Sequence, residues 1–219
     1  KTSLKKLCHY IIFMLSAIFN LRKIKNFDIM IISSPPLFTG VIGLYAKIFL
    51  KHNYWLDIRD LWPDSALELN QIGKRLYKYG KFLEKKIYKN AKGFIFSVPG
   101  FQKYMSNFSS EISKKPMIDL MNGVSKDFLS QATGNKNNEK KTFTVLYSGN
   151  MGLAQDLNTI VDAANLLKDY DIQFVFIGNG VCKAEVKKKA EILSEKIKFY
   201  NPMRRSELIK YIKQSAVCL

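Results

Sequence analysis

The chain has 219 residues, room for two ordinary α/β domains of about 100 residues each. A hydrophobic content of 47% and a charged content of 24% are those of a globular protein and exclude disordered and collagen-like classes. The net charge of +17, from 35 basic against 18 acidic side chains, calls for an anionic partner: nucleic acid, an acidic membrane surface or phosphate-bearing substrates.

The three cysteines, Cys8, Cys182 and Cys218, are odd in number and form no ligand spacing. That pattern points to a reducing compartment and away from a disulfide framework or a zinc site. His9 and His52 are too far apart in sequence for a metal-binding pair. No metal site and no cofactor are expected. Lys1 in place of methionine, and the strand-like Ala216-Val217-Cys218-Leu219, read as cuts through a longer protein.

Residues 1–20 combine a basic head (Lys1, Lys5, Lys6) with an apolar run from Tyr10 to Phe19. The run is about ten residues, half of what a bilayer span needs, and no cleavage pattern follows it. It is expected as a core helix packed on a sheet. Alternatively it lies in a membrane interface, with Arg22, Lys23 and Lys25 beyond its end turned to acidic headgroups.

Asp28 to Ser33 is a continuous apolar run stopping at Ser34-Pro35-Pro36, as a buried parallel strand does. A helix is expected over 38–51 and a strand over 54–58. The strand leads into Asp57-Ile58-Arg59-Asp60-Leu61-Trp62-Pro63-Asp64, three carboxylates, an arginine and a tryptophan within a few residues. Buried strands rarely carry charge unless it is paired or used. Asp57, Arg59 and Asp60 are therefore read as the polar floor of a binding cleft beyond the strand ends, with Trp62 as a wall. The blander reading pairs Arg59 and Asp60 with each other or with neighbours to hold the loop. Ser65 followed by Glu68 fits a capping box, so Asp64 and Glu68 are assigned to helix capping.

Leu76, Tyr79, Leu83 and Ile87 recur at helical spacing and are expected to face the core, with Lys78, Lys81, Lys85, Lys86 and Lys89 on the other face. Strands are expected at 93–98 and 116–120, with a short helix after Pro99 and a turn at Met121-Asn122-Gly123-Val124. The polar stretch 129–141 is expected as a linker between domains at 1–128 and 142–219.

The second block restarts the alternation. A strand over 142–147 is followed by the turn Ser148-Gly149-Asn150-Met151-Gly152, and a helix carries Leu157, Ile160, Val161, Ala164 and Leu167. A strand over 172–177 ends in Gly178-Asn179-Gly180. A lysine-rich helix (181–195), a strand (196–200) and a helix (204–214) complete it. Strands alternating with helices give two doubly wound, Rossmann-like parallel-sheet domains, an α/β fold, facing a cleft.

Glycines between strand and helix let main chain approach a phosphate, although tight turns also need them for geometry alone. Gly149-Asn150-Met151-Gly152 matches neither the dinucleotide fingerprint nor the P-loop. Two such loops side by side favour a nucleotide or phosphate site, to which Gly178 and Gly180 are assigned. Arg204-Arg205 could fork onto a phosphate or lie on a solvated face. The lysines at 183 and 187–189 are read as a solvated helix face.

Four runs occur here in one order: Ser33-Ser34-Pro35-Pro36-Leu37-Phe38-Thr39-Gly40, Arg59-Asp60-Leu61-Trp62-Pro63-Asp64, Asn122-Gly123-Val124, and Tyr147 to Gln155. The series resembles bacterial glycosyltransferases of family 4, of the GT-B class, and in particular the L-fucosamine-transferase-like branch of capsule and O-antigen assembly. The resemblance implies a retaining, hexosyltransferase-type enzyme that needs no metal. It would move an N-acetylated deoxy-amino sugar from a UDP-sugar to a glycan on undecaprenyl diphosphate. Gly149, Asn150 and Gly152 would face the donor diphosphate with Gln155 close by, and Asn201 to Met203 would edge the base. Arg59 and Asp60 would carry the reaction on the acceptor side, with Asp57, Trp62 and Ser34 binding the acceptor.

Many members have an arginine and a lysine where this chain has Asn150 and Gln155. The family's first strand, expected before Lys1, and its Glu-x7-Glu segment, expected after Leu219, are lacking, so both domains are expected to be incomplete. The chain as given is expected to be inactive or marginally stable. It is placed in the cytoplasm, peripheral on the inner face of the plasma membrane, with no nucleic-acid partner. The competing readings are a non-catalytic basic module for anionic polymers or membrane, and another GT-B nucleotide-sugar enzyme such as an epimerase.

Overall fold

The computed structural model describes residues 2–24, 27–133, 142–193 and 195–219. The chain divides into two compact units, Lys1–Gly123 and Val124–Leu219. Unit 1 holds a four-stranded parallel sheet in the order β1 (Ile31–Ser34), β2 (Trp55–Ile58), β3 (Gly93–Phe96), β4 (Met117–Asp119). Unit 2 holds a second, whose order follows from β5 (Phe143–Asn150), β6 (Ile172–Asn179), β7 (Ile197–Tyr200) and β8 (Val217–Cys218): β7-β6-β5-β8, again all parallel. The fold is α/β with two parallel sheets.

In unit 1 the helices are α1 (Thr2–Leu21), α2 (Leu37–Phe49), α3 (Asp64–Glu68), α4 (Lys74–Asn90), α5 (Phe101–Ser106) and α6 (Ser110–Ser113). In unit 2, α7 (Lys126–Thr133) packs on α10 (Arg205–Gln214), and α8 (Leu157–Leu166) lies beside α9 (Lys183–Leu193). Residues 129–133, expected as linker, thus continue a helix; residues 134–141 lie outside the described residues, as do Lys25 and the side chain of Lys6.

The core of unit 1 is apolar strand residues, among them Leu56, Ile58, Phe94 and Phe96, covered by Ile87 and Tyr88 of α4 and Met105 of α5. Helix α2 sits between α1 and α4. It comes very close to the sheet because Gly43 has no side chain: a Cβ there would lie 2.5 Å from Ile32 Cδ1 and 2.8 Å from the Tyr54 ring. Buried Tyr54, whose pKa is pushed up by burial, donates to Ile87 O at 2.6 Å.

Two helices depart from the expected orientation. Helix α1 packs on α2, where Tyr10 stacks near Phe38 and Arg22 bonds the Tyr45 hydroxyl at 2.6 Å. It does not become a core helix, because Ile12, Phe13, Leu15 and Phe19 remain more than half exposed. Helix α4 turns Gly80, Glu84, Ile87 and Tyr88 inward, which is the i, i+4, i+7, i+8 face. Leu76 and Tyr79, expected in the core, are 53% and 74% exposed.

The rotation of α4 is explained by Lys81. Its ammonium lies 3.0 Å from Asp64 Oδ2 and 2.5 Å from Glu84 Oε2, with the Phe108 ring 5.1 Å away. Asp64 also accepts from Tyr104 (2.7 Å) and Tyr77 (2.8 Å). Asp64 therefore joins α3, α4 and α5 and caps nothing. The expected capping box is absent: α3 has no side-chain cap, and Ser65 donates to Asp60 instead.

Burial opposes the Asp64 charge, but the bonds from Tyr104, Lys81 and Tyr77 outweigh it and hold its pKa below the ordinary value. Burial pushes Glu84 up, against the pull of Lys81. Burial also lifts the Tyr104 hydroxyl to about 12, helped by its bond to Asp64. A depressed carboxylate stabilises the fold fully above its unfolded value, about 3.9, and loses that contribution as pH falls through its folded value. Asp64→Asn is thus expected to lower stability by about 1–3 kcal/mol at pH 7 and by clearly less near pH 3. Urea unfolding of both proteins at the two pH values checks this; an equal loss at both would exclude a charged Asp64 as the tie.

Candidate active site

Each unit carries its polar residues at the C-terminal edge of its own sheet, where open α/β sheets hold ligands. In unit 1, β1 and β2 are in register with Ser33 opposite Asp57 and Ser34 opposite Ile58. Asp57 is buried, and its Oδ2 accepts from Ser33 Oγ (2.7 Å) and Arg59 Nε (2.8 Å). Arg59 N bonds Ser34 O at 2.9 Å, which closes the two strand ends together. Asp57 thus fixes Arg59 from beneath and is not an open floor, while the Arg59 side chain stays 55% exposed.

Asp60 and Trp62 line a cavity of about 300 Å³. Its walls are Pro35, Pro36 and Phe38 from the start of α2, Tyr10 from α1, and Ser65, Ala66, Leu69 and Gln71 from α3 and the turn after it. The Ser65 hydroxyl donates to Asp60 Oδ2 at 3.0 Å, leaving Oδ1 for another donor. Trp62 and Pro63 fit against α4 because Gly80 opposes them: a Cβ there would be 3.1 Å from Pro63 and 3.4 Å from the indole. Of the expected acceptor-side residues, Asp60 and Trp62 are brought together in the cavity. Ser34 and Asp57 lie buried beneath the strand ends. The cavity can take a ligand with one apolar face and a hydroxyl for the carboxylate. Tyr10 and Phe38 were not singled out in the sequence, since only the packing of α1 on α2 brings them to the rim.

In unit 2, β5 runs on through Ser148, Gly149 and Asn150, so the expected turn starts only at Met151. The register sets Gly149 opposite Gly178 and Asn150 opposite Asn179. The two glycine loops are knitted together. A Cβ on Gly178, which has φ +154°, would lie 1.9 Å from Gly149 O, and one on Gly180 2.3 Å from Met151 O. The glycines at 178 and 180 are thus filled in by main chain from the neighbouring strand, and their requirement is steric. Met151 N donates to Asn179 O (2.8 Å), and Gly152 N to Gln155 Oε1 (3.1 Å). Gly149 and Asn150 are the exposed part of this edge, with Gln155 just beyond it. Met203 packs among Leu146, Val175 and Ile177 beside the end of the sheet.

Lys183 departs from its expected place on a solvated face. Its ammonium reaches Gly178 O (2.8 Å), Asn201 Oδ1 (2.9 Å) and Tyr200 O (3.2 Å), and among the described residues no carboxylate pairs with it. It binds the end of β6 to the end of β7. The signal in the sequence was its place three residues past Gly180, at the first turn of α9. Of the arginine pair, Arg205 lies over the Phe128 ring at 4.6 Å. Among the described residues no group of three or more His, Cys, Asp or Glu is placed to hold a metal ion.

Residues 130–219 match the model of the family Glycosyl transferases group 1. No curated protein matches the chain in sequence. A sucrose-phosphate synthase from Thermosynechococcus elongatus is similar in structure, with TM-score 0.62 and 16% identity over 87% of this chain and 49% of that one. HepE from Anabaena, solved with UDP and glucose, has TM-score 0.65 and 9% identity over 94% and 54% of the two chains. The lipopolysaccharide outer core galactosyltransferase WaaB has TM-score 0.55 and 12% identity over 95% and 54%. The chain spans about half the length of each of these structures. Residues 130–219 are thus similar to glycosyl transferases of group 1, and the α/β fold with two parallel sheets matches that of GT-B glycosyltransferase structures.

Proposed function

We propose that the chain is part of a retaining, family 4 glycosyltransferase that moves an N-acetylated deoxy-amino sugar from a UDP-sugar to a glycan carried on a lipid diphosphate. Its setting would be capsule or O-antigen assembly at the inner face of the plasma membrane. The observation that carries the reading is the knitted pair of glycine loops ending β5 and β6, inside the segment that matches the family. HepE, which shares the fold, was solved with UDP bound. The order of the four sequence runs supports the finer family assignment.

In this reading unit 2 holds the donor. Exposed main chain at Gly149 and Asn150 meets the diphosphate, and Gln155 can exchange its bond to Gly152 N–H for one to a phosphate oxygen, releasing that N–H to the leaving group. Lys183 holds the β6 and β7 ends in place for the base near Asn201 to Met203. Unit 1 holds the acceptor: the 300 Å³ cavity takes its apolar side against Trp62 and Phe38, and Asp60 receives the proton side of the attacking hydroxyl. Arg59, fixed by Asp57, presents its remaining guanidinium N–H groups to an anionic group.

A nucleotide that binds only the folded state stabilises it, by about 2.7 kcal/mol at a hundredfold excess over its Kd. UDP is therefore expected to raise the melting temperature by several degrees, and uridine much less. No shift with UDP or a UDP-sugar panel would remove the donor site from unit 2. In the full-length protein, Asp60→Asn is expected to lower kcat for sugar transfer about 100-fold or more with its melting temperature unchanged within about 2 °C. Unchanged kcat would take Asp60 out of the chemistry. Product analysis without acceptor separates transfer from epimerisation.

A further inference from the structure

Helix α4 presents an outer face unlike that of an ordinary water-facing helix, which mixes both signs of charge. Tyr79 is 74% and Phe82 61% exposed, and Leu76 is exposed beside them. Arg75, Lys78, Tyr79 and Phe82 line an open trough of about 630 Å³. Lys86 sits over the Phe82 ring at 4.7 Å. The one carboxylate of the helix, Glu84, is fully buried and turned to Lys81, so the outer face carries cations and apolar groups alone.

The same holds for the layer to which α4 belongs. Helix α2 lies against both α4 and α1, and neither α1 nor α2 contains an aspartate or glutamate. The exposed apolar side chains of α1, such as Phe13 and Phe19, extend the layer. Lysine and arginine around exposed aromatics are what an interfacial helix uses: rings enter the headgroup boundary and cations meet acidic lipids. A nucleic acid would use the cations and rings but leave the exposed aliphatic side chains Ile12 and Leu15 of α1 in water. Among the described residues no helix is long and apolar enough to cross a membrane, so contact would be made by lying on it.

We propose that the outer face of α4, centred on Arg75, Lys78, Tyr79, Phe82 and Lys86, docks unit 1 on an anionic lipid bilayer. This deepens the reading of a membrane-borne acceptor, on which its purpose rests. It would present the cavity that includes Tyr10 of α1 to molecules embedded in that bilayer.

Vesicle flotation with phosphatidylglycerol–phosphatidylcholine mixtures, and with phosphatidylcholine alone, tests the proposal without acceptor or donor. Binding to the acidic vesicles is expected, falling with salt and weak on the neutral ones. Arg75→Gln with Lys78→Gln is expected to lower the partition coefficient about 25-fold, near fivefold per cation. Tyr79→Ser with Phe82→Ser is expected to lower it at least tenfold. Lys188→Gln with Lys198→Gln, the same charge change in unit 2, is expected to act by less than threefold. Equal losses from both lysine and arginine pairs would overturn the proposal, as would binding to an RNA oligonucleotide in preference to vesicles. A dimer that Tyr79→Ser with Phe82→Ser converts to monomer would assign the face to self-association instead. The UDP melting shift, measured on the same variants, reads the donor site independently: its absence would sink the enzymatic reading and leave the vesicle result standing.

Discussion

One ammonium group organises unit 1. Lys81 is drawn to Asp64 on α3 and to buried Glu84 on its own helix, and the two carboxylates hold its charge in place against the cost of burial. That contact fixes the rotation of α4, and the rotation decides everything that α4 then does. It sets Gly80 under Trp62 and Pro63, so the loop bearing Arg59 and Asp60 can settle against the helix. It buries Ile87 and Tyr88 on the sheet and leaves Tyr79 and Phe82 in solvent. The loop at the strand ends and the outer face of the helix are two results of one ion cluster.

Unit 2 is governed by a different constraint, the close approach of two strand ends. Gly178 and Gly180 exist because the carbonyls of Gly149 and Met151 occupy the space a side chain would need. The result is an edge built from main chain, with few side chains projecting from it. Such an edge suits an anion by shape and dipole. Lys183 completes it from below by tying Gly178 to Tyr200 and Asn201. In each unit the exposed groups at the strand ends are thus held by partners that lie beneath them.

The alternation of strand and helix was legible in the chain because parallel strands buried on both faces read as unbroken apolar runs, as in Ile172 to Ile177. The polar strand end after Trp55 was legible for the same reason: charge there stands out from the run. What was not legible is rotation. Leu76 and Tyr79 share helical spacing with Leu83 and Ile87, and periodicity alone placed them in the core. The inward face is instead Gly80, Glu84, Ile87 and Tyr88, with Lys81 beside it paired to an aspartate seventeen residues earlier. Lys183 reads as part of a solvated face because the carbonyls it reaches lie at the ends of β6 and β7, and its place just past Gly180 is the one local sign of that contact. The glycine turn begins three residues later than its glycines suggest, since β5 continues through Ser148, Gly149 and Asn150 to meet Ile177, Gly178 and Asn179.

Several lysines spend their charge on main-chain oxygens. Lys115 gathers the carbonyls of Tyr88, Lys89 and Ala91 where α4 ends, Lys196 reaches those of Lys168 and Tyr170, and Lys183 acts in the same way. The chain's excess of positive charge is therefore of two kinds, one structural and one free to meet a partner. Acetylation, which discharges a lysine and removes its ability to bridge several acceptors, would consequently act on this protein as two separate agents. On the outside of α4 it would silence attraction; at Lys115 and Lys183 it would unfasten the joints between helix and strand.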